Sequence, residues 1–115
     1  MPGFLTTHVL DTARGSPASG LGITLHKIVE SKQILVREMT TNRDGRTDSP
    51  ILPESDFELG QYILSFAAGS YLTKLDPDYN GFFDTIAIQF SMTEDDHYHV
   101  PLLLSPFGYS TYRGS

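Results

Sequence analysis

Apolar and polar residues alternate along most of this chain with a period of two, the spacing of a half-buried strand. Phe4, Thr6, His8 and Leu10 alternate with Leu5, Thr7 and Val9, so residues 4–10 predict a first strand. Gly15-Ser16-Pro17 breaks the chain after it. Residues 22–28 and 33–39 predict two further strands joined by a short connection. In residues 60–68, Tyr62, Leu64 and Phe66 alternate with Ile63, Ser65 and Ala67; in residues 85–90, Ile86, Ile88 and Phe90 share one face. Residues 97–104 and 109–113 complete a set of about eight strands, whose close spacing predicts an antiparallel sandwich or barrel.

One segment departs from that period. Residues 70–75, Ser-Tyr-Leu-Thr-Lys-Leu, predict a short helix with Ser70 as its N-cap and Pro77 just past its end. No internal repeat, low-complexity tract or linker interrupts the pattern. A length of 115 residues fits one domain, so residues 1–115 read as a single unit.

Composition narrows the partners. Apolar residues make up 39%, enough for one modest core, to which burial in an oligomer would add. No apolar run approaches the ~20 residues of a membrane helix, and no basic, then apolar, leader opens the chain. Cysteine is absent, so neither disulfides nor thiol chemistry is expected, and a cytoplasmic location follows as the expectation. Lys and Arg number 8 against 14 Asp and Glu, a net charge of −6 that repels a phosphate backbone; nucleic acid is not an expected partner. Arg37, Arg43, Arg46 and Arg113 can still build a local positive pocket.

The candidate chemistry lies in histidine and at the chain end. His97 and His99 are two apart in a strand and point to one side, together with Pro101 and Leu103. His8 sits in another strand. An unperturbed imidazole titrates at about 6.5 and can act as base or acid near neutral pH. Each histidine taken singly reads first as a structural, hydrogen-bonded side chain, and His26, without supporting neighbours, keeps that reading. A His-x-His pair plus a third histidine can also hold zinc. No acidic residue is placed to complete such a site and a nearby arginine would oppose a cation, so no metal is expected.

Two other signals fail on spacing. Asp76-Pro77-Asp78-Tyr79-Asn80-Gly81 opens like a calcium-binding loop, but the twelfth position is Ala87 where a glutamate is required. A turn is expected there. Ser, His and Asp are all present, yet no Gly-x-Ser-x-Gly elbow exists for a serine nucleophile. Arg46 follows the turn Asp44-Gly45, which can aim its guanidinium either into solvent or into a cleft holding a planar carbonyl-bearing ligand. Tyr112-Arg113-Gly114-Ser115 gathers a phenol, a guanidinium and a hydroxyl after the apolar run Val100-Pro101-Leu102-Leu103-Leu104. An ordered site is expected there, held by a terminal strand.

These segments together resemble a known family. Leu5-Thr6-Thr7-His8-Val9-Leu10-Asp11, Thr41-Asn42-Arg43-Asp44-Gly45-Arg46, and His97 to Pro106 followed by Tyr109 to Ser115 are similar to the transthyretin-related 5-hydroxyisourate hydrolases. The resemblance covers nearly the whole chain, and the terminal tetrapeptide is its most specific part. Leu10-Asp11 with Gly15-Ser16-Pro17-Ala18, and Leu104-Ser105-Pro106 with Tyr109-Ser110-Thr111, also resemble transthyretin itself.

The resemblance implies an all-β sandwich of two four-stranded antiparallel sheets with one short helix. It implies a homotetramer, a dimer of dimers, with sites in a channel across the dimer–dimer interface. The implied reaction, part of urate degradation, opens the ring of 5-hydroxyisourate to 2-oxo-4-hydroxy-4-carboxy-5-ureidoimidazoline without metal or cofactor. On this pattern His8 and His99 orient and activate water and Arg46 holds substrate oxygens. Tyr112 and Arg113 shape the substrate end of the pocket, and Ser115 hydrogen-bonds a histidine or the substrate. No role falls to His97. The rival within the same fold is a hormone-type carrier without catalysis, as transthyretin is. Transthyretin has a lysine where this chain has His8 and lacks the Tyr-Arg-Gly-Ser ending, so the site residues favour hydrolysis.

Overall fold

The longest alternating segments form the most regular part of the molecule. In the computed structural model, which describes residues 2–114, ten strands and one α-helix follow one another, with a single 3-10 turn (Glu54–Asp56) among them. They are β1 (Phe4–Thr6), β2 (Val9–Asp11), β3 (Ser16–Pro17), β4 (Gly22–Val29), β5 (Lys32–Thr40), β6 (Gly60–Ala67), α1 (Ala68–Leu75), β7 (Thr85–Met92), β8 (His97–His99), β9 (Leu102–Ser105) and β10 (Gly108–Thr111). No helix among the described residues is long and apolar enough to cross a membrane.

Strands β5-β4-β6-β7 make one four-stranded sheet, antiparallel throughout. The β4–β5 hairpin turns at Glu30-Ser31, both in the left-handed region with φ of 51° and 68°. That is the geometry a tight hairpin requires, but it is reached without the Asn-Gly pair that usually announces it. The second sheet has the order β10-β9-β2-β3. Its pairs are antiparallel except at the centre, where β2 and β9 run parallel. The short pair β1–β8 is parallel too and keeps the same register, Thr6 opposite His99 and Val9 opposite Leu102. Residues 4–11 thus lie along residues 97–104 as one parallel ladder with a break in each strand. The prediction of two four-stranded sheets holds, with this parallel seam in place of a uniformly antiparallel second sheet.

The core lies between the sheets. Ile23, Leu25, Leu64 and Phe66 from one sheet meet Leu5 of the β1–β8 pair and Val9, Leu102 and Leu104 of the other sheet, all fully buried or nearly so. The helix starts at Ala68, earlier than the sequence suggests, and Ala67 caps it without a side-chain bond. Ser70 therefore lies inside the helix and is not its cap. Pro77 does follow the end, at Asp76. The Asp76 loop is a turn, as expected: its carboxylate accepts from the Asp78 amide and its carbonyl from the Tyr79 amide.

Candidate active site

The parallel seam presents two faces. Leu5, Thr7, Val9 and Tyr98 point into the core. Thr6, His8, His97 and His99, one residue out of phase, point the other way. Pairing Thr6 with His99 brings side chains from distant parts of the chain into hydrogen-bond range. Nδ1 of His8 lies 2.8 Å from Nε2 of His99, and the rings are 4.8 Å apart at 30°. The other nitrogen of His99, Nδ1, lies 2.7 Å from the Thr6 hydroxyl, which lies 2.7 Å from Nε2 of His97. The His97 ring stacks on Phe4 at 4.0 Å and 7°.

Both strands are broken beside these histidines, and each break recruits another segment. At the first, His8 forms an isolated antiparallel bridge with Arg46. The turn before Arg46 explains how it arrives there. The Asn42 side-chain oxygen accepts from the Asp44 amide at 2.8 Å and the Arg46 amide at 3.3 Å. Gly45 has φ of +73° and its carbonyl accepts from the Val9 amide at 2.8 Å. A Cβ on Gly45 would sit 2.5 Å from the Val9 carbonyl oxygen, so both torsion and space demand glycine.

At the second break, His99 bridges Gly114, whose amide donates to the His99 carbonyl at 2.7 Å. A Cβ on Gly114 would lie 2.6 Å from Cδ2 of the His99 ring. Glycine lets the chain end run flat against the imidazole. The Thr7 and Thr111 hydroxyls tie down this corner by donating to the carbonyls of Val100 and Pro101 at 2.7 and 2.8 Å.

Burial and charge keep both imidazoles neutral at pH 7. Desolvation lowers the pKa of His8 below 6.5, and the Arg46 guanidinium lowers it further. His99 is lowered to about 4, first by burial, then by the charges of His8, Arg46 and His97. A neutral imidazole beside a guanidinium can accept a proton while the cation attracts a developing oxyanion. Among the described residues, no group of three or more His, Cys, Asp and Glu is placed to hold a metal ion. It is the Thr6 hydroxyl that links His97 to His99.

Of the expected site residues, His8, Arg46 and His99 come together. Tyr112 and Arg113 do not join them within one protomer. The Arg113 guanidinium lies over the Tyr98 ring at 4.3 Å and 3.6 Å from the Asp96 carboxylate, and Tyr98 is on the core face of its strand. Both residues line a separate hollow of about 200 Å³ with Ile88, Phe90 and Val100. Ser115 lies outside the described residues. Nothing in the sequence singles out Thr6 or gives His97 a part, although Thr6 stands two residues from His8 on the same strand face.

A family model described as HIUase/Transthyretin family matches residues 5–114. The 5-hydroxyisourate hydrolase of Mesorhizobium japonicum is 52% identical over 117 residues, covering 98% of this chain and 93% of that protein. The solved structure of Klebsiella pneumoniae 5-hydroxyisourate hydrolase matches with a TM-score of 0.83 at 32% identity, over 98% of this chain and 99% of that one. Sea bream transthyretin in complex with thyroxine matches with a TM-score of 0.87 at 24% identity, over 99% and 95%, a likeness of fold alone.

Proposed function

The chain belongs to the HIUase/Transthyretin family, and from that premise we propose that it hydrolyses 5-hydroxyisourate to 2-oxo-4-hydroxy-4-carboxy-5-ureidoimidazoline. The observation that carries this reading is the neutral, hydrogen-bonded His8–His99 pair with Arg46 bridged to His8. Opening a cyclic amide requires water to lose a proton, a carbonyl oxygen to take up negative charge, and the departing nitrogen to gain a proton. Nε2 of His8 makes no hydrogen bond to a described residue, so it is the nitrogen assigned to take the proton from water. His99 holds the other nitrogen of that ring in place. Arg46 offers its donor fork to the substrate oxygens and stabilises the oxyanion as water adds. Collapse of the tetrahedral intermediate breaks the C–N bond, and the proton held on His8 passes to the departing nitrogen. Every step uses groups of the chain and water, so the reaction we assign needs no metal.

The assembly we assign is a homotetramer, a dimer of dimers. Because Tyr112 and Arg113 pack away from the histidines of their own protomer, their assigned part in shaping the substrate pocket is played across a subunit boundary. A cysteine-free chain suits a reducing compartment, and we place the activity in the cytoplasm.

An ultraviolet time course of freshly made 5-hydroxyisourate tests the reading. Catalytic amounts of the protein are expected to hasten its disappearance. A carrier would leave the spontaneous rate unchanged and bind iodinated phenols instead, and that result would overturn the proposal.

A further inference from the structure

The histidine pair does not end at His99. A hydroxyl has one hydrogen. Thr6 lies 2.7 Å from an imidazole nitrogen on either side, so it donates to one ring and accepts from the other. Its approach to the Tyr98 carbonyl, 3.5 Å, is too long to compete. The four groups therefore form one directed chain, His8–His99–Thr6–His97, and reversing any link reverses them all.

We infer that Thr6 and His97 are positioning residues for the proposed hydrolysis, the far arm of a proton relay that sets which nitrogen of His8 is free to take a proton. The inference rests on the hydrolase reading. In the receptive form, His8 donates from Nδ1 to Nε2 of His99, His99 donates from Nδ1 to Thr6, and Thr6 donates to Nε2 of His97. Nε2 of His8 is then unprotonated. When it takes a proton from water, each hydrogen along the chain shifts one place. His8 returns to neutrality as its other tautomer and His97 becomes the imidazolium. The positive charge thereby moves from the buried pair to a ring stacked on Phe4, next in sequence to the Asp96 carboxylate. Protonation of the departing nitrogen by His8 drives the shifts back, so no proton is gained or lost over the cycle.

Thr6→Val removes the hydroxyl at nearly constant shape, and His97→Phe keeps a ring on Phe4 but removes both nitrogens. Each is expected to lower kcat at least ~10-fold with KM held within about twofold, the pattern of an interaction made only in the transition state. Thr6→Ser is expected to restore kcat. A proton inventory in mixed light and heavy water is expected to be curved for the unaltered protein and linear for Thr6→Val. Undiminished kcat in both variants would overturn the relay, and so would reduced kcat with unchanged curvature, since packing alone would give that. A third outcome, an unaltered protein that leaves the spontaneous rate untouched, would overturn the hydrolase reading and the relay with it.

Discussion

The two sheets of this sandwich are built on different rules. In the β5-β4-β6-β7 sheet the strands run for eight or nine residues, and each bonds to its neighbours along its length with a single irregularity between Leu25 and His26. In the opposite layer no strand exceeds four residues. Its parallel seam is interrupted at Thr7-His8 and Val100-Pro101, and at the edges of these gaps His8 pairs with Arg46 and His99 with Gly114. The uninterrupted sheet supplies stability. The interrupted one supplies a place where four distant segments converge, and the candidate chemistry lies there. Regular pairing is good for burying apolar surface and poor at presenting several polar side chains to one point.

The sharpest way to break this contrast is to truncate one residue of each kind. His8→Ala or His99→Ala is expected to lower turnover by ~10²–10⁴ while unfolding and assembly stay close to those of the unaltered protein. Phe66→Ala, in the regular sheet, is expected to cost about 3–5 kcal/mol in urea unfolding while the folded fraction keeps its turnover. If the histidine variants turned over normally, the site would have to lie elsewhere. Arg46→Ala is expected to cost ~10²–10³ in kcat through loss of oxyanion stabilisation. It carries a second signature. The guanidinium depresses the pKa of both His8 and His99, so removing it moves the acid limb of kcat/KM to higher pH. A limb that stayed in place would separate Arg46 from the imidazoles.

Two glycines sharpen the comparison. A methyl group on Gly22, in the regular sheet, would meet only the Ala67 side chain at 3.7 Å; on Gly114 it would strike the His99 ring. Gly22→Ala is expected to leave kinetics unchanged, and Gly114→Ala to lower kcat by roughly 10²-fold through displacement of the ring. Equal kinetics in the two would show that the chain end tolerates crowding. The smallest effect concerns acid stability. With a folded pKa of about 4 against 6.5 unfolded, His99 refuses protons that the unfolded chain accepts. Its contribution is complete above pH 6.5 and is lost as pH falls toward 4. The urea midpoint is expected to fall less steeply over that window in His99→Asn than in the unaltered protein.

Much of this was legible beforehand. The alternation of Phe4, Thr6, His8 and Leu10 put Thr6 and His8 on the face turned away from the core, and Asp44-Gly45 marked the turn that carries Arg46. What could not be read depends on which strands meet. Pro101 falls opposite His8 only because the seam is parallel and in register, and nothing local encodes that direction. The hairpin at Glu30-Ser31 and the helix start at Ala67-Ala68 lack the side chains that usually mark such points, because tertiary packing decides them. Thr6 looks like any strand threonine until two imidazoles close around it.

The seam joins residues 4–11 to residues 97–104. During synthesis the first of these strands leaves the ribosome long before its mate is translated. The antiparallel sheet, whose last strand ends at Met92, can pair beforehand. A nascent chain stalled at that point would have most of its scaffold and no competence for chemistry, and competence would appear only when residues 97–104 dock against residues 4–11.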